Sequence, residues 1–487
     1  MVDRRTVIAG GLLAAGGLVA APRLSAATKV HTGQAQAGQW IFTTEGRPWQ
    51  AGPVVAWGKF DPASGPNVFI NTSQSFQVIE GFGACFNELG WDAINALPAK
   101  SRTSIFNELF SDAGAGFTLG RLPVGANDFS RDWYSYDETP GDFSLSRFSI
   151  ARDETGLIPF IRAAKAMRPE LKLWASPWSP PTWMKNNGHY ASVPNYPGRP
   201  PNGMKPGQGG REGTDMFIQD NRYLDAYARY FGKFVDAYAR RGIPIAMVMP
   251  QNEFNSAQPY PSCCWTPEGL ARFLPYLGRE MDKRSVEVFF GTLERANDQL
   301  FEKAYAAPGL KEVIKGVGVQ WAGKGALPFI HRAHPDLRFY QTEQECGDGR
   351  NDWRYARYAW SMMKSYLQNG ANAYFYWNIA LMEGGVSRWG WAQNSLIVVD
   401  QATGSYRWTH EYWLMKHLSA LVKPGARRVE VSSGTGYEDV LAFRNVDGTI
   451  AIVAHNSMSK PQPLRIMVKG KLLDVELPAD SFASISL

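Results

Sequence analysis

Eight short apolar segments alternate with helical segments between residues 78 and 378, and this alternation constrains the fold more than any other feature. The segments are rich in β-branched and aromatic residues and are bounded by Gly or Pro, which is typical of strands. Between the third and fourth, aromatic residues from Tyr223 to Tyr238 recur at helical spacing, and Gly242 ends the pattern. Such strand–helix units, repeated eight times, predict an α/β fold, a (β/α)8 TIM barrel. The predicted strands begin, in chain order, at Val78, Phe117, Leu171, Met247, Val286, Gly316, Leu337 and Ala373, and the fifth of them ends at Gly291.

Both ends of the chain carry β-type segments that do not belong to this alternation. Near the N-terminus these are residues 40–43, 54–57 and 68–70. Near the C-terminus, Asp447-Gly448 between two apolar runs predicts a hairpin turn, and residues 481–487 alternate as a half-buried strand does. We therefore expect an appended β-sandwich built from both termini. The predicted domain limits are 1–27 for a signal peptide, 28–75 for the N-terminal strands of the sandwich, 76–412 for the barrel and 413–487 for the C-terminal part of the sandwich.

The first residues have the pattern of an export signal. Arg4-Arg5 precede a weakly apolar segment from Val7 to Ala21, and small residues follow at 25–27. Paired arginines indicate the twin-arginine route, and an ordinary secretion signal is the alternative. We expect an exported protein, periplasmic or extracellular. The rest of the sequence contains no run of about 18 apolar residues, so we expect no stable membrane span.

Composition excludes several classes of function. The net charge of +6 is small and scattered, which argues against nucleic acid as a partner. Four cysteines are too few for a disulfide framework, although one disulfide after export stays open. Neither these cysteines nor the pair His331 and His334 has the spacing of a metal site, so we expect no metal and no cofactor. Residues 194–213, rich in Pro and Gly, predict a long loop over the barrel mouth.

Two of the predicted barrel strands end in a glutamate. The fourth runs into Glu253 and the seventh into Glu343. Catalytic groups of TIM barrels lie at the C-terminal ends of the strands, and retaining glycosidases use two carboxyl groups about 5–5.5 Å apart. We therefore predict these two glutamates as the catalytic pair. Glu345 is the alternative nucleophile on the seventh strand, but the apolar run closes at Thr342-Glu343, which favours Glu343.

Other residues near the predicted strand ends fit the same chemistry. Asn252 can hydrogen-bond a sugar hydroxyl beside the reacting carbon, and Arg121 can hold a carboxylate ionised. Trp178 and Trp377 either wall a sugar site or fill the core.

Several motifs, in this order and spacing, resemble glycoside hydrolase family 30 and in particular its glucosylceramidase branch. The motifs are Glu80–Glu88, Gly120–Pro123, Asn127–Phe129, Ala175–Trp178, Gln251–Glu253, Thr342–Glu343, Tyr376–Leu381 and Ser395–Asp400. The resemblance implies a (β/α)8 barrel joined to a β-sandwich, and retaining hydrolysis of β-glycosides without a cofactor. It implies the acid/base role for Glu253 and the nucleophile role for Glu343. It also implies that Asp128, Trp178, Asn252 and Trp377 hold the nonreducing sugar.

The chain departs from the family pattern on the leaving-group side. Gln320 stands where the glucosylceramidases usually have His, Ala322 replaces an aromatic residue, and Phe254 replaces the common Pro. We include Gln320 with Arg121 among the expected substrate-binding residues. The expected substrate is a carbohydrate or glycolipid carrying a β-glucosyl unit, such as glucosylceramide or a β-1,6-glucan. Activity on β-xylan, β-fucosides or β-galactan is the alternative within the family. A sugar-binding barrel without catalysis is the non-enzyme alternative, and the presence of both glutamates argues against it.

Overall fold

A computed structural model of the protein describes residues 40–53, 57–58 and 65–487. The predicted export signal lies outside the described residues, and so do the first three residues of the strand predicted at 54–57.

The described chain forms the following helices and strands, numbered along the sequence. The strands are β1 Trp40–Thr44, β2 Arg47–Ala51, β3 Trp57–Gly58, β4 Val68–Val78, β5 Gly81–Cys85, β6 Leu119–Pro123, β7 Lys172–Ser176, β8 Met247–Val248, β9 Glu287–Leu293, β10 Ile314–Val319, β11 Arg338–Gln341, β12 Ala371–Asn378, β13 Ala380–Met382, β14 Ile397–Asp400, β15 Ser405–Trp408, β16 Arg427–Ser433, β17 Val440–Arg444, β18 Ile450–Asn456, β19 Gln462–Val468, β20 Lys471–Leu477 and β21 Ser481–Ser486. The α-helices are α1 Glu88–Asn95, α2 Ala99–Phe110, α3 Leu157–Met167, α4 Asn221–Ala239, α5 Pro267–Asp282, α6 Gln299–Tyr305, α7 Leu310–Val313, α8 Leu327–Ala333, α9 Trp353–Gln368 and α10 His410–Ser419.

Strands β5 to β12 form a closed parallel barrel, which confirms the predicted (β/α)8 fold. The barrel closes where β12 pairs with β5, with Ala373 opposite Gly81. Nearly all residues of these strands are buried, because helices cover the outside and side chains fill the inside. Gly83 allows β5 and β6 to approach closely, since a Cβ atom there would lie 2.0 Å from the Leu119 carbonyl oxygen.

Helix α4 shows why the chain between barrel strands folds as it does. Asp220 caps its N-terminus by accepting a hydrogen bond from Arg222 N at 2.9 Å. The aromatic residues that predicted this helix, such as Tyr227 and Phe234, form its buried face. Gly242 follows with φ 75°, a left-handed conformation that ends the helical run, as predicted.

The second domain is a mainly antiparallel sheet of strands from both ends of the chain. The strand order is β2-β1-β21-β18-β17-β16-β4-β19-β20-β3, so the N-terminal strands lie among the C-terminal ones. The hairpin predicted at Asp447-Gly448 is confirmed, since β17 pairs with β18 in antiparallel register. Buried side chains that include Trp40, Val68 and Ile452 form one core for this domain. The predicted appended β-sandwich, built from both termini, is thus present.

Helices α9 and α10 connect the barrel to this second domain. On α9, Trp353 donates a hydrogen bond to Asp480 at 2.8 Å, and Lys364 donates one to Asp439 at 2.6 Å. On α10, His417 lies between Ser484 and Thr43, with ring nitrogens 2.8 and 2.9 Å from their hydroxyl oxygens.

Two barrel strands are shorter than the sequence predicted. β8 ends at Val248, five residues before Glu253, because Pro250 has no N–H to continue the ladder and Glu253 has φ 47°. β11 ends at Gln341, two residues before Glu343. Both glutamates therefore lie on the loops that follow their strands.

Three other predictions concern the surface and the cysteines. Residues 194–213 form a long loop, as predicted, and Asn195 and Asn202 anchor it to Trp389 O and Pro259 O at 3.1 and 2.9 Å. All four cysteines are buried and unpaired, so the disulfide left open by the sequence is not formed. In the described part of the chain, helices fall short of the length and apolarity that crossing a bilayer requires.

Candidate active site

The loops that follow the barrel strands enclose a cleft of about 310 Å³ at the C-terminal face. This is the end of a TIM barrel at which active sites lie. The cleft is lined by Asp128, Trp178, Asn252, Glu253, Ser256, Gln258, Tyr260, Glu294, Arg295, Trp321, Ala322, Lys324, Glu343, Glu345, Trp391 and Gln393.

Glu253 and Glu343 face each other across a single amide group. Nε2 of Gln320 lies 3.2 Å from Glu253 Oε1 and 3.3 Å from Glu343 Oε2. Because one nitrogen atom contacts both carboxyl groups, these groups must lie close together, and this is compatible with the separation of about 5–5.5 Å found in retaining glycosidases. Thr342 fixes the orientation of that amide by donating from its hydroxyl to Gln320 Oε1 at 2.8 Å.

Glu343 is surrounded by hydrogen-bond donors. Arg121 Nη1 donates to Oε2 at 2.8 Å, and Trp321 Nε1 donates to Oε1 at 3.1 Å. Burial raises the pKa of the Glu343 carboxyl, whereas Arg121, Trp321 and Gln320 act in the opposite direction by stabilising the charged form. Glu343 is thus the carboxyl of the pair that is equipped to carry a negative charge.

Glu253 has a different environment, although it is equally buried. Its carboxyl accepts one hydrogen bond, from Gln320, within the described chain. Burial and the neighbouring charge of Glu343 raise its pKa to about 7. The backbone N–H of Glu253 donates to Thr292 Oγ1 at 2.8 Å, which holds the left-handed turn in place. Glu253 is thus the carboxyl that retains a proton near neutral pH.

Asn252 is oriented by its oxygen atom. Oδ1 accepts hydrogen bonds from Arg121 Nη2 at 2.6 Å and from Gln320 Nε2 at 3.3 Å. Arg121 Nη2 also donates to Ser176 Oγ at 3.2 Å. Because the oxygen of Asn252 is engaged, its Nδ2 is the group that can donate to a sugar hydroxyl in the cleft.

Aromatic residues form one wall of the cleft and the layer of side chains behind that wall. Trp178 stacks on Trp377 with ring centroids 5.2 Å apart, and the Arg121 guanidinium lies 4.5 Å from the Trp178 ring centroid. Asp128 completes the wall, and its Oδ1 is buried without a partner in the described residues. Burial and the charge of Glu343 raise the pKa of Asp128 well above its usual range. A neutral carboxyl at this place can both donate to and accept from a sugar hydroxyl.

The structure brings all eight predicted site residues into one cluster, but not all into the cleft lining. Asp128, Trp178, Asn252, Glu253 and Glu343 line it. Arg121, Gln320 and Trp377 are fully buried behind that lining, so they position other groups instead of presenting a surface to the sugar.

Several residues of the site were not selected from the sequence. Trp321 donates to Glu343, and Thr292 supports Glu253. Glu345, which the sequence offered only as the alternative nucleophile, also lines the cleft and accepts hydrogen bonds from Lys324 at 2.6 Å and from Tyr358 at 2.6 Å. Glu294 also lines the cleft. It ends the apolar run of the fifth barrel strand, which is the same signal that selected Glu253 and Glu343.

Comparisons with known proteins agree with this geometry. Residues 79–422 match the model of the glycosyl hydrolase family 30 TIM-barrel domain, and residues 425–485 match the model of its beta sandwich domain. The chain is 29% identical to the lysosomal acid glucosylceramidase of Mus musculus over 82% of this chain and 78% of that protein. It is 27% identical to the endo-1,6-beta-D-glucanase of Neurospora crassa over 78% of this chain and 79% of that protein.

A solved structure has the same fold. The crystal structure of SrfJ from Salmonella typhimurium superimposes with a TM-score of 0.81 at 23% identity, covering 92% of this chain and 99% of that one. The barrel model alone matches well over half of the chain. The chain therefore belongs to glycoside hydrolase family 30 and is an O-glycosyl hydrolase.

Proposed function

We propose that this protein hydrolyses β-glucosides with retention of configuration, with Glu343 as nucleophile and Glu253 as acid/base. The observation that carries the proposal is the shared Gln320 amide, which lies between two carboxyl groups of unlike environment. Only one of the two, Glu343, accepts hydrogen bonds from Arg121 and Trp321. Pairs of carboxyl groups with pKa values set apart by their surroundings divide the acid and base roles in this way.

In the first step, a carboxylate oxygen of Glu343 attacks the anomeric carbon while the bond from that carbon to the leaving oxygen breaks. The proton of Glu253 passes to the leaving oxygen, so the aglycone departs as a neutral alcohol. The products of this step are a glycosyl ester on Glu343 and an ionised Glu253.

In the second step, Glu253 takes a proton from a water molecule as the water oxygen attacks the anomeric carbon. The ester bond to Glu343 breaks, the carboxylate is regenerated and Glu253 is protonated again. Two inversions at the same carbon give a product with the configuration of the substrate. Arg121, Trp321 and Gln320 stabilise the carboxylate that leaves.

The preference for glucose rests on the site and on the relatives. Asp128, Trp178 and Asn252 line the cleft. Arg121, which pairs with Glu343, contacts both Trp178 and Asn252, and the charge of Glu343 acts on the pKa of Asp128 more strongly than that of Glu253 does, so these residues support a nonreducing-sugar site beside Glu343. The two curated relatives are named for glucosylceramide hydrolysis and for β-1,6-glucan hydrolysis, and both substrates carry a β-glucosyl unit. A panel of aryl β-glucoside, β-xyloside, β-fucoside and β-galactoside tests the proposed preference for a glucosyl unit. We expect the glucoside to give the highest kcat/KM, and a higher value for any other glycone would refute it.

Mechanism-based trapping tests the nucleophile. A 2-fluoro-β-glucosyl inhibitor with a good leaving group should form a stable ester. The fluorine slows both steps, but the good leaving group keeps the first step, in which the ester forms, faster than the second. Peptide mapping should place the sugar on Glu343. A label on Glu345 would overturn the assignment, and Glu345→Gln is the matched control that should still be labelled.

We also propose that the protein is exported. The paired arginines at positions 4 and 5, followed by a weakly apolar segment, support this proposal. Mass spectrometry of the N-terminus of the native protein should find cleavage close to residues 25–27, and an intact Met1 on the mature protein would contradict it.

A further inference from the structure

Glu294 is a third carboxyl group in the cleft, and the proposed mechanism does not use it. It follows the last residue of β9 and is only 1% exposed, yet it lines the cleft. Its neighbours in sequence hold the catalytic loops. Thr292 accepts the hydrogen bond from Glu253 N at 2.8 Å, and Leu293 O accepts one from Gln320 N at 3.0 Å. The position of Glu294 is therefore fixed between the segments that carry Glu253 and Gln320.

Neither oxygen of Glu294 has a hydrogen-bond partner in the described part of the chain. The two proposed catalytic glutamates of the cleft, Glu253 and Glu343, each accept at least one hydrogen bond. A buried polar group without a partner lowers stability, and proteins retain such groups mainly at functional sites. Arg295, the adjacent residue, is engaged elsewhere, because it pairs with Glu212 of the long loop.

The state of the carboxyl follows from its surroundings. Burial and the charge of Glu253 raise the pKa of Glu294 to about 8, against the opposing effect of Arg295. Near neutral pH the group is thus uncharged and offers one O–H donor and an acceptor oxygen. An uncharged carboxyl can exchange hydrogen bonds with a hydroxyl group without leaving a charge buried.

The side of the cleft on which Glu294 lies indicates what it would meet. An acid/base must lie against the leaving oxygen, so the leaving group occupies the Glu253 side of the cleft. The turn Trp321–Gly325 packs against the segment that carries Glu294, since a Cβ atom on Gly323 would come within 2.1 Å of Leu293 O and 3.5 Å of Glu294 N. Ala322, the residue before Gly323, lines the same cleft as Glu294, and its small side chain leaves room there for a ligand.

From this geometry we propose that Glu294 is a specificity-determining residue that hydrogen-bonds a hydroxyl of the leaving group. The inference rests on the proposed function and deepens it. It implies that leaving groups with hydroxyls, such as a second sugar, are preferred to alkyl groups without them. A site that pairs its buried polar groups with the substrate rejects a substrate that leaves them unpaired.

Two substrates of similar leaving-group ability isolate this effect. A β-linked glucosyl-glucose disaccharide carries hydroxyls on its leaving sugar, whereas cyclohexylmethyl β-glucoside does not, and both need the proton of Glu253. The measured quantity is the ratio of their kcat/KM values. In Glu294→Met, which keeps length but removes the polar atoms, we expect this ratio to fall about tenfold or more. In Glu294→Gln, which keeps an uncharged donor and acceptor, we expect it to stay within about threefold of the wild type.

Thermal unfolding gives a second readout. If Glu294 had only a structural role, its replacement by Met would lower the Tm. Removing an unpartnered buried carboxyl should leave the Tm of Glu294→Met equal to or above that of the wild type. Glu312→Met and Glu312→Gln are matched controls, because Glu312 is an exposed residue of α7 outside the site, and both should leave Tm and the ratio unchanged. If Glu294→Met does not fold, Glu294→Ala carries the same test.

Several results would overturn the inference. An equal loss on both substrates, an unchanged ratio in Glu294→Met, or a ratio in Glu294→Gln as low as in Glu294→Met would each do so. A wild type that cleaves an aryl β-glucoside but none of the 1,3-, 1,4- and 1,6-linked disaccharides would also refute it. By contrast, a wild type inactive on the aryl β-glucoside itself would refute the proposed function, and the two failures are therefore distinguishable.

Discussion

Arg121 Nη1 donates to Glu343 Oε2 at 2.8 Å, and the two side chains are 0% and 7% exposed. The same guanidinium reaches Asn252 and Ser176 through Nη2. One planar group thus orients the proposed nucleophile together with the neighbour of the proposed acid.

Replacing Arg121 should impair both stability and catalysis. Arg121→Met leaves a buried carboxyl without its cation, and breaking such a pair typically costs about 3–5 kcal/mol. Arg121→Lys keeps the charge, but a single ammonium cannot form the planar fork that reaches three partners. We expect Arg121→Lys to fold and to lose about 100-fold in kcat on an aryl β-glucoside. Thermal unfolding and steady-state kinetics check both expectations, and near-wild-type values for Arg121→Met would contradict them.

Glu253→Gln should discriminate between substrates according to leaving group. Without an acid, a poor leaving group such as an alkyl alcohol must depart as an alkoxide, whereas a dinitrophenolate leaves unaided. We expect a loss of about 10²–10⁴-fold on alkyl β-glucosides and a much smaller loss in the first step on 2,4-dinitrophenyl β-glucoside. Pre-steady-state kinetics separates the two steps. An equal loss in that step on both substrates would rule out the acid role of Glu253.

The pH dependence should report the same residue. Glu253 acts in its protonated form, and this form is lost as the pH rises through a pKa of about 7. We therefore expect kcat/KM for alkyl β-glucosides to fall about tenfold per pH unit above that value. Since the charge of Glu343 contributes to the raised pKa, Glu343→Gln should lower it. Carbon-13 NMR of labelled glutamate can follow this titration in the inactive variant, and an unchanged pKa would contradict the coupling.

The barrel was predictable because its signals are local. Each strand is a short apolar run, and each covering helix has a periodic apolar face, as in α4. The ends of the strands were less predictable. Pro250 and the positive φ of Glu253 end β8 early, and the conformation of a single residue leaves no periodic pattern in a sequence.

Most individual residues of the site were predictable from the sequence, but the hydrogen bonds between them were not. Gln320 stood out as a departure from the family, yet its contacts with Glu253 and Glu343 require the ends of three barrel strands to meet. Glu294 carried the same strand-end signal as the catalytic pair. It was missed because the fifth strand was predicted to end at Gly291, whereas β9 continues to Leu293.

His417 offers a test of the contact between α10 and the second domain. It is fully buried between Ser484 and Thr43, and burial together with the charge of Lys416 lowers its pKa from 6.5 to about 3. The unfolded chain therefore binds a proton below pH 6.5 that the folded chain does not. The contribution of the neutral His417 ring to stability is complete above pH 6.5 and is lost as the pH falls towards 3.

Between pH 7 and pH 5, this histidine alone should reduce the free energy of unfolding by about 2 kcal/mol. His417→Gln removes the titrating group and retains donor and acceptor atoms for the two hydroxyls, so its stability should fall less over the same interval. Urea unfolding of both proteins at the two pH values measures the difference, from which the contributions of all other titrating groups cancel. We expect the wild type to lose about 2 kcal/mol more than the variant. If both lost the same amount, His417 would titrate alike in the folded and unfolded chains, and its burial as a neutral ring between the two domains would be refuted.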